Sequence, residues 1–83
     1  MSKKIGVIGA GAWGTALAQV YAASGYEVLL WAREANVIQL INETRENRIF
    51  MPGLMIHNNV RVTPDLSSLA GREIFLLATP AQY

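Results

Sequence analysis

Three glycines spaced G-x-G-x-x-G, at Gly9, Gly11 and Gly14, separate a short apolar run from the opening of an amphipathic helix. The run is Ile5-Gly6-Val7-Ile8, and the helix begins with Ala12-Trp13-Gly14-Thr15-Ala16-Leu17-Ala18. Each glycine has its own mechanical task in such a strand–turn–helix. Gly9 lets the chain turn sharply out of the strand. Gly11, without a Cβ, lets the backbone come close to a pyrophosphate. Gly14 lets the new helix pack tightly on the strand it has left. The helix start then offers unpaired N–H groups and the positive end of its dipole to phosphate. The pattern therefore points to a dinucleotide site; a glycine-rich turn without a ligand is the plainer alternative.

The remaining chain reads as alternating strands and helices. Lys4 to Ile8 is the first strand, and apolar residues at Trp13, Ala16, Leu17, Val20 and Ala23 have helical spacing with one buried face. Gly25 stops that helix in a left-handed conformation. Glu27-Val28-Leu29-Leu30-Trp31 is the second strand. A second helix runs from about Ala35 to Glu46, with Val37, Leu40 and Ile41 on one side and Glu43, Arg45 and Glu46 mostly solvated. An irregular stretch, Asn47 to Asn59, carries the breakers Pro52-Gly53 and Asn58-Asn59. Val60-Arg61-Val62 is a third strand. Thr63 then caps a brief helix with Pro64 at its first position, ending at Gly71. Glu73 to Ala78 is a fourth strand.

The order β-α-β-α-β-α-β predicts an α/β, Rossmann-type doubly wound parallel sheet with strand order 3-2-1-4. A hydrophobic content of 52% in 83 residues suits strands buried on both faces. The ligand crevice is expected at the carboxyl ends of the first and fourth strands, bringing Gly9 to Gly14 and Thr79-Pro80 together. A full sheet of this kind continues past four strands. The expectation is thus the N-terminal part of a dinucleotide-binding domain (1–83) from a larger enzyme, poorly stable or associating by itself.

Charge and composition exclude several classes. The net charge is +1 with scattered basic residues, which argues against a nucleic-acid partner. Without cysteine there is no disulfide or thiol chemistry. Lys3-Lys4 precede an apolar stretch, but Gly6, Gly9 and Gly11 break it, unlike a signal peptide. No run approaches the ~20 apolar residues of a membrane span; a cytoplasmic protein is expected. No cluster has metal-ligand spacing. His57, alone in the irregular stretch, reads as a solvated loop residue, Trp31 as packing, and Trp13 as either core filler or cofactor contact.

Cofactor choice turns on the end of the second strand. A carboxylate there takes a ribose 2′-hydroxyl and repels a 2′-phosphate. The chain has Trp31-Ala32-Arg33-Glu34 instead. A guanidinium at Arg33 can grip a 2′-phosphate through a charge-assisted bond worth about 1.5–3 kcal/mol. NADP(H) is favoured and NAD(H) stays open. Glu34 reads chiefly as a residue favoured by a helix N-terminus.

Gly9-Ala10-Gly11-Ala12-Trp13-Gly14-Thr15-Ala16-Leu17-Ala18 resembles the N-terminal signature of NAD(P)-dependent glycerol-3-phosphate dehydrogenases, G-x-G-x-[W/Y]-G-[T/S]-A-[L/I]-A. Val28 to Arg33 resembles that family's second strand and following basic residue. Glu46-Asn47 with Phe50-Met51-Pro52-Gly53 resembles its E-N-x-x-[Y/F]-L-P-G loop, Met51 replacing leucine. The resemblance implies hydride transfer between glycerol 3-phosphate and dihydroxyacetone phosphate, serving phospholipid synthesis. It places Ala12, Trp13 and Arg33 at cofactor-contacting positions. Thr79-Pro80 resembles the family's V-P turn over the cofactor, with threonine for valine. The family's catalytic and substrate-binding lysines are expected beyond residue 83. The partners implied are the cofactor and, in the longer enzyme, a small phosphorylated substrate, with a homodimer left open. Rival readings are a related reductase or hydroxyacid dehydrogenase, an FAD flavoprotein, and a non-catalytic nucleotide-sensing module.

Overall fold

Four parallel strands form one sheet, with the second and third in sequence lying to one side of the first and the fourth to its other side. The computed structural model describes residues 3–72 and 74–77. β1 (Lys4–Ile8) leads to α1 (Ala12–Ala23), β2 (Glu27–Trp31), α2 (Ala35–Thr44), β3 (Val60–Thr63), a single 3₁₀ turn (Leu66–Leu69) and β4 (Ile74–Leu77). β1 lies at the centre, paired with β2 on one side and β4 on the other. The chain builds outward through β2 and β3 and then jumps across β1 to place β4. The doubly wound order read from the sequence is the one observed.

Strand register explains the core. Ile5, Val28 and Val60 stand side by side across the sheet, and Val7, Leu30 and Val62 form the next row. Because side chains alternate along a strand, these rows share one face. Ala18 and Ala22 of α1 and Val37 and Ile41 of α2 complete that cluster. Leu29, of opposite parity, is also buried, as is Leu69 in the 3₁₀ turn, which lies against β2. Strands covered in this way on both sides read as continuous apolar runs.

Helix α1 turns a different face to the sheet than its large apolar residues suggest. Gly14, Thr15, Ala18 and Ala22 are buried. Trp13 and Val20 are 64% and 61% exposed, which removes the reading of Trp13 as core filler. Small residues let a helix come close to a parallel sheet, and that proximity decides the rotation; Leu17 and Tyr21 pack at the flank. Helix α2 also ends two residues earlier than its periodicity indicates. Arg45 takes a left-handed conformation (φ 58°) and its N–H closes on the Ile41 carbonyl. Arg45 is half-buried, and its guanidinium donates to the carbonyls of His57 and Val60. The cap before Leu66 is Asp65, whose Oδ1 accepts from the Ser67 N–H at 3.0 Å. Thr63 ends β3 and its hydroxyl oxygen accepts from the Asp65 N–H, so Pro64 precedes the turn and does not open it.

The stretch from Arg45 to Asn59 is irregular but firmly tied. An antiparallel bridge joins Glu46 and Met55. Gln19 on α1 donates from Nε2 to the Met55 carbonyl and accepts the His57 N–H at Oε1. Glu46 Oε2 accepts from the Gly53 N–H at 2.8 Å, while Oε1 pairs with Arg48 Nε at 3.3 Å. The Gly53 N–H is the main cause holding the Glu46 carboxyl below its ordinary value, with Arg48 adding to it against the cost of desolvation.

Two predictions follow from this packing. Leu30→Ala should lower stability by about 2–5 kcal/mol, whereas Val20→Ser should change it by less than about 0.5 kcal/mol, in chemical unfolding. Equal losses at the two positions would contradict the observed rotation of α1. A carboxyl with a depressed folded pKa contributes stability above its unfolded pKa and loses it as pH falls through the folded value. The Gly53 amide resonance should therefore titrate with a midpoint below 4.5, the ordinary Glu46 value, and lose that step in Glu46→Gln. A midpoint at or above 4.5 would count against the bond.

Candidate dinucleotide-binding site

The glycine turn sits where the sheet changes winding direction. Gly9 leaves β1 with φ +112°, a conformation only glycine adopts without strain, and its N–H donates to the Trp31 carbonyl at 3.0 Å. That bond ties the end of β1 to the end of β2. Gly11 is the N-cap of α1, in extended conformation (φ −71°, ψ −170°), and has no side chain to cap the helix. The first helical hydrogen bond runs from the Thr15 N–H to the Gly11 carbonyl at 2.9 Å. The N–H groups of Ala12, Trp13 and Gly14 therefore precede the helix's own ladder. They face outward from a helix start with positive dipole character.

The turn has room for an anion. A Cβ built on Gly11 would meet no atom of the described residues within 4 Å beyond its chain neighbours. Nothing in the described chain requires glycine at this position for packing, so the open space suits a group approaching from outside. Gly14, by contrast, is buried against the sheet. The donor set is backbone N–H, the chemistry that cradles pyrophosphate. The residues present thus fit a dinucleotide.

The structure gathers Gly9, Gly11, Ala12, Trp13 and Gly14 at one end of the sheet. Arg33, two residues past β2, is exposed on the neighbouring strand end, before α2. Glu34 is the N-cap of α2 but makes no side-chain capping bond. Pro80 and Thr79 lie outside the described residues. Trp31 is half-buried, and its Nε1 donates to the Pro64 carbonyl, a packing role. His57 is half-buried, with Nδ1 accepting from the Asn59 N–H at 3.1 Å. Its ring closes a local turn. Among the described residues no group of three acidic, His or Cys side chains is placed to hold a metal. No described helix is long and apolar enough to cross a membrane.

One residue of the site is invisible to glycine spacing. Asn47 is fully buried, 37 residues from the turn it touches. Its Nδ2 donates to the Ala10 carbonyl and to Thr15 Oγ1, both at 2.9 Å. Its Oδ1 accepts the Phe50 N–H at 3.2 Å. Only its place in the E-N-x-x-F-M-P-G stretch singles it out in the sequence.

Comparison with known proteins agrees with this geometry. Residues 4–83 match the model of the NAD-dependent glycerol-3-phosphate dehydrogenase N-terminus. The glycerol-3-phosphate dehydrogenase [NAD(P)+] of Parvibaculum lavamentivorans is 52% identical over 81 residues, covering 98% of this chain and 24% of that protein. That of Novosphingobium aromaticivorans is 49% identical over 83 residues, covering 100% and 25%. The crystal structure of glycerol-3-phosphate dehydrogenase from Coxiella burnetii superposes with a TM-score of 0.85 at 31% identity, covering 92% of this chain and 24% of that one. The chain spans about a quarter of the length of these relatives. It belongs to the NAD-dependent glycerol-3-phosphate dehydrogenase family and matches its N-terminal, Rossmann-type region.

Proposed function

We propose that this chain is the cofactor-holding part of an enzyme that moves a hydride between NAD(P)H and dihydroxyacetone phosphate or glycerol 3-phosphate. The observation that carries the reading is the outward-facing helix start at Gly11 to Gly14, with space beside Gly11 that the described residues leave unfilled. When bound, the nicotinamide supplies the hydride chemistry, and the protein supplies placement and electrostatics. The relatives are about four times as long, so substrate binding and proton transfer are assigned to the longer protein. Residues 1–83 then form the N-terminal part of its dinucleotide-binding domain. Gly9 shapes the turn, the Gly11, Ala12, Trp13 and Gly14 backbone receives the pyrophosphate, and Pro80 is assigned to the cofactor site by resemblance to the family's V-P turn.

NADP(H) is the proposed preference. Arg33 stands exposed beyond the second strand, where a carboxylate would otherwise select the ribose hydroxyl. Its guanidinium suits a phosphate by charge and by its fork of donors.

Two substitutions test these assignments in tryptophan-fluorescence titrations with NADPH and NADH. Gly11→Ala should leave stability within about 1 kcal/mol, because the extra methyl crowds none of the described residues and the backbone angles suit alanine. It should weaken both cofactors by about tenfold or more, a loss of about 1.4 kcal/mol. Undiminished binding by that variant would refute the pyrophosphate assignment. Arg33→Ala should weaken NADPH by about 10- to 100-fold and leave NADH nearly unchanged. Parallel loss of both would remove Arg33 as the source of preference.

A further inference from the structure

The peptide between Ala10 and Gly11 is held from its carbonyl side. The Ala10 oxygen accepts from Asn47 Nδ2 at 2.9 Å and from Thr15 Oγ1 at 3.4 Å, both buried. Asn47 Nδ2 also donates to Thr15 Oγ1, so amide, hydroxyl and carbonyl form a closed triangle. A trans peptide directs its N–H opposite to its C=O, and the chain has no cis peptide among the described residues. With the Ala10 oxygen drawn into the interior, the Gly11 N–H points away from it. A Cβ built on Gly11 would meet no atom of the described residues within 4 Å beyond its chain neighbours.

We propose that Asn47 is a positioning residue that locks the Ala10–Gly11 peptide with its N–H turned toward the cofactor's pyrophosphate. The proposal rests on the reading of the turn as a dinucleotide site. Glycines flank Ala10 on both sides, and glycine tolerates either orientation of an adjoining peptide. Local sequence alone therefore does not choose between presenting an N–H and presenting a carbonyl to the anion. A carbonyl there would repel phosphate. Thr15 helps, but its 3.4 Å bond is the longer one, and its own hydroxyl is oriented by Asn47.

Asn47 is itself well anchored. Its Oδ1 and its backbone carbonyl accept from the N–H groups of Phe50 and Met51. The adjoining segment is clamped to α1 by Gln19 and to β3 by Arg45. A fully buried amide costs stability unless bonded, and here each of its polar atoms is used. Its donors serve the turn and the first turn of α1.

The test is Asn47→Asp in the protein carrying this chain, which keeps the shape and replaces the Nδ2 donor with an acceptor facing the Ala10 carbonyl. Circular dichroism checks that the variant folds. NADPH and NADH should both bind about tenfold or more weakly, without a change in their ratio. Adenosine 2′-phosphate, which has no pyrophosphate, should bind within about twofold of the parent by NMR titration. Unchanged dinucleotide binding overturns the proposal, as does equal loss of all three ligands, which marks a purely structural residue. A second measurement does not depend on the variant folding. In the parent protein titrated with inorganic pyrophosphate, the Gly11 amide proton should shift together with those of Ala12 and Trp13. Shifts at Ala12 and Trp13 with Gly11 unmoved would overturn the peptide orientation. A parent protein that binds no dinucleotide would instead remove the underlying site reading, a distinct result.

Discussion

The Ala10 carbonyl is the atom through which the site is joined to the fold. It belongs to the turn between β1 and α1, yet its strongest partner, Asn47, lies beyond α2. Bringing the two together requires β1 and β2 paired, α2 completed and the chain reversed at Arg45. A residue with φ 58° supplies that reversal, and its guanidinium binds two carbonyls at the far end of the following segment. Buried polar groups are expensive unless every bond is made. The Asn47 triangle is thus stable only when the surrounding elements are in register, which makes the shape of the turn a property of the assembled sheet.

The same sheet dictates how close α1 can lie. Helix α1 covers the central strands with Gly14, Thr15, Ala18 and Ala22, not with its bulky residues. Close approach lets the helix start emerge directly above the end of β1, where Gly9 bonds to Trp31. Larger side chains on that face would lift the helix and move its N–H groups away from the end of β1. The close packing of α1 and the position of its N–H groups are thus two consequences of one choice of small residues.

This explains which features were legible in the sequence. The strands were, because burial on both faces leaves unbroken apolar runs such as Val28-Leu29-Leu30 and because Gly9 and Gly25 mark their edges. The order of the sheet followed from the crossover rule. The rotation of α1 was not legible: counting apolar bulk selects Trp13 and Val20, while the sheet selects alanine and glycine, which hydrophobic periodicity weights least. The end of α2 was obscured because Arg45 and Glu46 are good helix formers, and tertiary bonds to His57, Val60 and Gly53 outweigh that preference. Asn47 was hidden for a related reason. Its partners are backbone and hydroxyl groups 37 and 32 residues away, a relation with no local pattern.

The site as proposed divides its work between two kinds of interaction. Backbone N–H groups at Gly11 to Gly14 attract phosphate without carrying formal charge, and they are held by buried contacts that salt does not weaken. Arg33 acts by charge from an exposed position, where attraction is screened over about 8–10 Å at physiological ionic strength. Affinity for the shared pyrophosphate is therefore expected to rest on the rigid turn, and discrimination between the two cofactors on the exposed guanidinium. That division has a physical consequence. Discrimination can change by substitution at one solvent-facing residue without disturbing the core, whereas the turn cannot change without Asn47, Thr15 and the strands they are tied to. In this arrangement the pyrophosphate cradle is the conservative element and the ribose end of the pocket the adjustable one.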